Sequence, residues 1–352
     1  MKIAFILPSL ANQGPIIFTK NLILGLLDLN CQIEVFYFNP ILELDFPVKC
    51  TQIPFYKVNN FIDFDIVHST MAKPDCYLAL HYDKIKPVKV SSMHCFMMED
   101  LLQLRGKLKT WAISTLWKWA LRRMNHIIVS SDTMLQYYTD ILNNKSIQYS
   151  IIPYGIPIQK LGSIDETTKE RLNKLKSNYS VLIGCGSLIK RKGFAQLIDY
   201  LPQNQQVAVL LIGDGECRNE LCEQAKRLGV QERVFFLGYR THSVDYYPYG
   251  DIFCMTSNSE GFGLAMLEAM SLGLPFVCAK LDIYNDYFHN DQIALFDYGN
   301  LKSLAIAIER TIDNKADYSQ AVQKLFTEKF SLTSMAQSHY DQYNQWMIKK
   351  TI

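Results

Sequence analysis

The chain has 352 residues, 49% of them hydrophobic and 20% charged, with 36 Lys and Arg against 34 Asp and Glu. That length exceeds one ordinary core and implies two domains of about 150–200 residues each. A net charge of +2 offers no electrostatic footprint for nucleic acid.

The nine cysteines show no metal-ligand spacing: Cys217 and Cys222 stand too far apart for a C-x2-C pair. Cys185, Cys254 and Cys278 lie inside apolar runs and read as small core hydrophobes of a reducing compartment. The apolar run Ile3 to Leu7 stops at Pro8, too short for a signal peptide or a spanning helix. The expectation is a cytoplasmic protein, soluble or peripherally attached.

Short apolar runs rich in β-formers alternate with helix-like segments. In the first half they are "KIAFILP", "IEVFYF", "DIVHST", "VKVSSMH", "HIIVSS" and "YSIIPYG". In the second half they are "VLIGCGSL", "VAVLLIGDG", "RVFFLGY", "DIFCMTS", "PFVCAK" and "IALFDYG". Such uniform apolarity predicts strands covered on both faces, hence two doubly wound parallel sheets in an α/β chain. The turn-rich "PYGIP" and the polar "DETTKERLNKLKSN" place the join between Tyr154 and Tyr179. The expected domains are 1–160 and 161–330, with 331–352 as a helix packing back on the first. Ligands of open parallel sheets sit at the carboxyl ends of strands, so the expected active site is a cleft faced by both domains.

Four loops after strands carry candidate chemistry. In "SNSEGFGLAMLE", Gly261 and Gly263 let backbone approach a ligand, and free amides at the start of a helix from Leu264 form an anion seat. Glu268, inside that helix, would suit two vicinal ribose hydroxyls. The alternative is that Glu268 pairs with a basic core residue and Glu260 favours the helix dipole. In "GCGSLIKRKGF", Lys190, Arg191 and Lys192 follow a glycine-rich turn that would clamp a diphosphate, or would form a solvated basic turn. Gly14 precedes a helix beginning near Pro15, where close ligand approach competes with a purely structural glycine. His94 and His68 end strands, where a histidine is either ligand-facing or structurally satisfied.

These residues resemble the retaining nucleotide-sugar glycosyltransferases of the GT-B fold, specifically glycosyltransferase family four, group 1. The resemblance covers essentially the whole chain and is strongest from Val181 to Cys278, through "GDGECRNELCEQAKRLGVQERVFFLGYR" and "YYPYGDIFCMTSNSEGFGLAMLEAMSLGLPFVCA". Its most specific part is E-x7-E, Glu260 to Glu268. It implies that Glu260 contacts the transferred sugar, and that the amides of Gly261, Phe262, Gly263 and Leu264 bind the diphosphate. It further implies that Glu268 holds the ribose, Lys192 neutralises the leaving group, Tyr239 borders the base, and His94 lies beside the reacting sugar. Gly14, Ser187 and Arg191 complete the implied donor site, with His94, Glu260 and Lys192 as its catalytic set. Three positions depart from the family: Ser187 stands where Arg is frequent, Gln13-Gly14 where Gly-Gly is frequent, and Tyr154 where the hinge usually has Asn.

The implied reaction moves a hexose or N-acetylhexosamine from a nucleotide-sugar, on family frequency a UDP-sugar, with retention of configuration and with no metal or other cofactor. The alternatives are a nucleotide-sugar epimerase or sugar phosphorylase on the same fold, or a non-catalytic glycosyltransferase-like subunit. The implied acceptor is a glycan or lipid-linked saccharide of bacterial surface polysaccharide or lipopolysaccharide. From Leu101 to Ser131 there is no acidic residue; Arg105, Lys107, Lys109, Lys118, Arg122 and Arg123 are interleaved with Trp111, Trp117 and Trp119. This segment predicts an anionic inner-membrane surface as partner, or else a solvated basic helix with its tryptophans on the core.

Overall fold

The computed structural model of the chain describes residues 1–260, 262–289 and 292–351, with side chains outside that description at 103–105 and 349–351. Two expectations, Gly261 and the Arg105 side chain, therefore lie outside the described residues. The chain divides into two compact units: Met1–Pro157 together with Lys329–Ile352, and Ile158–Glu328.

The first unit is built on a seven-stranded, all-parallel sheet in the order β3-β2-β1-β4-β5-β6-β7. Its strands are β1 Lys2–Leu7, β2 Gln32–Tyr37, β3 Lys49–Gln52, β4 Ile66–Thr70, β5 Val88–Ser92, β6 His126–Val129 and β7 Gln148–Ile151. β4 and β5 are buried along their whole length, as expected of central strands with helices on both faces. β3 is absent from the sequence expectations, because "KCTQ" has no apolar run; as an edge strand it pairs with β2 only, through its backbone ladder and the Lys49–Glu34 ion pair (3.1 Å). The last helix, Leu332–Thr351, packs on helix Gly14–Asp28 within this unit. Gly25 permits that approach, since a Cβ there would sit 2.5 Å from Ala336 Cβ.

Two polar clusters thread this core. His68 bonds Tyr343 Oη through Nδ1 (2.5 Å) and Ser92 Oγ through Nε2 (2.8 Å). It is thus the structurally satisfied histidine of the two sequence alternatives. Asp75 accepts from Ser69 Oγ (2.5 Å), Ser91 Oγ (2.8 Å) and Trp117 Nε1 (2.6 Å), and burial raises its pKa to about 6. Trp117 is therefore an interior residue, 7% exposed, which overturns its placement on a membrane surface. Its indole N–H is needed where a carboxylate is buried.

The second unit holds a six-stranded parallel sheet in the order β10-β9-β8-β11-β12-β13. These strands are β8 Ser180–Cys185, β9 Val207–Ile212, β10 Val234–Gly238, β11 Ile252–Met255, β12 Phe276–Ala279 and β13 Ala294–Phe296. One face of the sheet packs Leu182, Val209, Leu211 and Val277 against Leu197, Leu221 and Ile308. Helix Glu166–Asn178 starts at an Asp165 cap that accepts from the Thr168 amide (2.8 Å). In each sheet the strand order reverses once, between β1 and β4 in the first and between β8 and β11 in the second. Loops diverge at such a point and leave a crevice at the strands' carboxyl ends.

Candidate active site

In the second unit that crevice is bounded by the loop after β8 and the loop after β11. Lys190–Lys192 form one turn of 3₁₀ helix, closed by Gly193 at φ +65°. The turn is docked on the other loop by backbone: the Asn258 amide donates to Arg191 O (3.0 Å), and Thr256 Oγ1 donates to Lys192 O (2.8 Å). A Cβ on Gly193 would fall 2.2 Å from Thr256 O. Gly193→Ala thus meets both a left-handed backbone and a backbone clash. We expect a fall in Tm of several degrees, corresponding to about 1–3 kcal/mol; an unchanged melting curve would contradict this docking.

The docked loops bring together groups 68 residues apart in sequence. Lys192 Nζ donates to Glu260 Oε1 (2.7 Å), Arg191 Nη1 lies 3.5 Å from Glu260 Oε2, and Ser257 Oγ donates to Oε1 (2.5 Å). Arg191 Nη1 also donates to Ser259 O (2.6 Å). Glu260 is buried, its side chain 7% exposed, and two cations and a hydroxyl stabilise its charge there. In sequence terms Glu260 and Lys192 have separate roles, on sugar and diphosphate; here they are each other's partners.

Helix Leu264–Ser271 begins at Gly263, whose φ of +99° favours glycine. Among the described residues, the amides of Gly263, Leu264 and Ala265 donate to no protein acceptor, so three N–H groups remain for an anion. Phe262 is buried, its ring at the edge of Tyr287 and its carbonyl bonded by Tyr284 Oη (3.1 Å), which fixes the approach to the helix. One turn on, Glu268 Oε2 accepts from Tyr247 Oη (3.1 Å). Burial raises the Glu268 pKa to about 7, the tyrosine offsetting only part of that shift. Among the described residues no cation pairs with Glu268, so the alternative of a basic core partner does not hold. Ser187 and Tyr239 are exposed at the ends of their strands' loops, and neither makes a side-chain hydrogen bond among the described residues.

The first unit places the other expected residues. Gly14 opens its helix with nothing within 4 Å of an added Cβ, so no packing constraint demands glycine there. His94 follows β5. Its Nδ1 bonds Tyr154 Oη, Phe18 packs edge-on at 4.7 Å, and its enclosed Nε2 has no hydrogen-bond partner among the described residues. Burial lowers its pKa to about 3, so the ring is neutral at physiological pH. Tyr154, which stands where the family usually has Asn, is the residue that fixes this imidazole.

On helix Lys107–Leu121, Leu108 (81% exposed), Trp111 (67%) and Leu116 (54%) are exposed beside Lys107 and Lys109. Lys118 and Trp119 are half-buried; the Arg123 guanidinium lies 5.0 Å from the Trp119 ring, and Arg122 Nε is used on Leu142 O (2.8 Å). No described helix is long and apolar enough to cross a membrane. The metal-free reading of the sequence leaves Asp63-Phe64-Asp65, an Asp-x-Asp, unaccounted for. It precedes β4 at that strand's amino end, and Asp65 accepts from the Lys2 amide (2.7 Å). Among the described residues no three His, Cys, Asp or Glu side chains cluster so as to hold a metal ion.

The residues that the sequence does not single out are Ser257 and Tyr247, and for both the signal is faint. Ser257 lies inside the quoted loop, but only the fold turns its hydroxyl onto Glu260.

Comparison with known proteins bears on the fold and on the second unit's sequence. The family model described as glycosyl transferases group 1 matches residues 165–325. The chain is similar to the O-antigen biosynthesis glycosyltransferase WclY of Escherichia coli, 27% identical over 98% of both chains. It is 25% identical to the Escherichia coli UDP-Gal:alpha-D-GlcNAc-diphosphoundecaprenol alpha-1,3-galactosyltransferase, over 75% of this chain and 70% of that one. Among solved structures, Anabaena HepE in complex with UDP superposes with a TM-score of 0.81 at 20% identity, covering 98% of this chain and all of that one. The lipopolysaccharide outer core galactosyltransferase WaaB superposes at 0.72 and 16% identity, with both chains fully covered. The fold is GT-B, with two Rossmann-like parallel-sheet domains.

Proposed function

With the group 1 glycosyl transferase match of residues 165–325 as premise, we propose that the chain is a retaining glycosyltransferase of O-antigen or lipopolysaccharide synthesis. It moves a hexose or N-acetylhexosamine from a UDP-sugar to a glycan or lipid-linked saccharide at the cytoplasmic side of a bacterial membrane. The observation that carries this is the convergence at the β8/β11 switch point: the Lys192–Glu260 pair, three unengaged amides at Gly263–Ala265, and the half-buried Glu268. Nucleotide-sugar chemistry needs these groups: cations and N–H donors for a diphosphate, and carboxylates for hydroxyls.

In this reading the acceptor oxygen attacks the anomeric carbon from the face the diphosphate leaves. The anomeric C–O bond breaks, and the departing phosphate oxygen takes the acceptor's proton. Lys192 and Arg191 turn from Glu260 towards the growing negative charge, and Glu260 is released to bind sugar hydroxyls. Glu268, half-protonated near neutral pH, both accepts from and donates to the ribose diol. The carboxylates serve hydroxyls rather than acting as a nucleophile pair, and the cations and amides take the place of a metal.

Thermal unfolding with UDP-, GDP- and ADP-sugars tests the donor. A UDP-sugar at 100-fold over its Kd is expected to stabilise by about 2.7 kcal/mol, and Glu268→Gln to lose most of that shift. No shift with any nucleotide-sugar would overturn the reading. Release of free sugar or an epimer without acceptor would point to an epimerase or hydrolase; binding without turnover would point to a non-catalytic subunit.

Membrane association belongs to the same reading. It is supported by the exposed Leu108, Trp111 and Leu116 beside Lys107 and Lys109, an apolar face in a basic frame. Leu108→Glu with Trp111→Glu is expected to abolish co-sedimentation with vesicles containing about one-third anionic lipid. Equal pelleting of variant and wild type would remove this surface from the proposal.

A further inference from the structure

The first unit has its own switch point, between β1 and β4, and the residues gathered there differ in kind from those of the second unit. Lys73 lies in the first turn of helix Ala72–Leu80, directly after β4. Its ammonium stands 5.2 Å from the Phe38 ring centroid and 5.9 Å from that of Phe55, and donates to Asn39 Oδ1 (2.7 Å). Phe38 and Asn39 follow β2, and Phe55 follows β3, so three strands deliver one cation cradle at their carboxyl ends. Among the described residues no carboxylate lies within ion-pair reach of Lys73. Glu43, in the loop after β2, accepts the Asn12 amide instead (2.8 Å). An ammonium has three N–H donors, and the cradle uses one.

Two further observations single out the same place. Met71, joining β4 to the helix, has φ 73° and ψ 161°, a region a side-chain-bearing residue occupies only at a cost of about 1–3 kcal/mol. That strained turn fixes where Lys73 begins its helix. Tyr56 packs edge-on to Phe55 (5.4 Å), the ring that lies 5.9 Å from the cation, yet leaves 91% of its own surface in solvent. An aromatic face beside a held cation suits a sugar ring that carries negative charge.

We propose that Lys73, with Asn39 and Tyr56, forms an acceptor subsite in the first unit for a saccharide bearing an anionic group, phosphate or carboxylate. The ammonium takes the anion, and Tyr56 takes the face of the attached sugar. The inference rests on the glycosyltransferase reading and adds a requirement on the acceptor: charge next to the sugar ring. Such an anion is either the diphosphate of a lipid carrier or the carboxylate of a uronic acid.

The test is calorimetric titration of the full chain with saturating UDP, which occupies the donor seat of the second unit. The probes are an alkyl N-acetylglucosaminyl diphosphate, an alkyl glucuronide and a neutral alkyl glucoside. At least one anionic probe is expected to bind ten-fold or more tightly than the neutral one. Lys73→Gln should abolish that preference, Tyr56→Ala should weaken the same probe several-fold, and UDP affinity should be unchanged in both. Preference for the diphosphate identifies a lipid carrier as the source of the anion; preference for the glucuronide identifies an acidic glycan. The proposal is overturned if neither anionic probe outbinds the neutral one, or if both variants bind as the wild type does. Tyr56 is too exposed for its removal to unfold the chain, so that arm holds even if Lys73→Gln is unstable. Failure of UDP itself to bind would instead bring down the donor reading.

Discussion

Lys192→Met is expected to reduce sugar transfer by roughly 10²–10³-fold, the loss that follows removal of one preorganised charge from a developing anion. The same substitution should destabilise the second unit by about 3 kcal/mol. It strands Glu260, whose side chain is 7% exposed, with Arg191 at 3.5 Å and Ser257 Oγ as its remaining partners. Breaking a buried pair at one end typically costs 3–5 kcal/mol, and those two remaining contacts put this case at the low end. Replacing both ends, Lys192→Met with Glu260→Leu, should recover most of the stability and none of the activity. That contrast separates a scaffold pair from a catalytic one. Transfer rates and denaturation midpoints of the two single variants and the double variant give the cycle. A double variant that regains transfer would show that the pair only holds the loops together.

The second large effect is on acid stability, and the two units should move in opposite directions. In the first unit His68, His94 and His339 all have pKa values lowered by burial, to about 3 for His94 and about 4 for His339. Unfolded histidine titrates near 6.5. Below that pH the unfolded chain binds protons that the folded one refuses, so stability falls as pH falls. Each group contributes a slope of about 1.4 kcal/mol per pH unit. Asp75 works the other way: its folded pKa of about 6 lies above the unfolded value, so it gains a proton on folding in part of the same window. Charge on His339 disfavours charging of both His68 and His94, and charge on His94 disfavours that of His68. The net expectation is a loss of roughly 3 kcal/mol per pH unit between pH 6 and 4.5, a large fraction of an ordinary domain's stability. In the second unit Glu268, with a folded pKa of about 7, contributes stability as pH falls from 7 to 4.5. Urea unfolding followed separately in each unit between pH 7.5 and 4.5 would measure both slopes. His339→Leu should flatten the first by one proton. A first unit whose midpoint does not move over that range would refute the assignment of three neutral histidines.

Most strands are legible because their chemistry is local. Runs such as "VAVLLIGDG" and "KIAFILP" are too uniformly apolar for anything but a strand buried on both faces. Helix Leu264–Ser271 is bounded in sequence by Gly263 before it and Gly273 after it, and it lies where those residues put it. β3 escapes because "KCTQ" takes its place from backbone pairing with β2, which leaves no side-chain pattern. Trp117 shows the opposite failure. A tryptophan among lysines looks interfacial by composition, but its partner Asp75 lies 42 residues away and buried.

The sequence alone determined the architecture and the inventory of the site: two parallel α/β domains, a glycine-bracketed E-x7-E element and a basic turn after β8. These depend on apolar runs, backbone freedom and charge within a few residues of one another. Only the tertiary structure decided the pairings. It joined Lys192 and Arg191 to Glu260, gave Glu268 a tyrosine in place of a cation, fixed His94 through Tyr154, enclosed Trp117, and set Lys73 beside a packed pair of rings. The reason is physical. Each of these contacts spans a strand crossover, so its partners are brought together by the order of strands in a sheet, and burial then sets how strongly they interact.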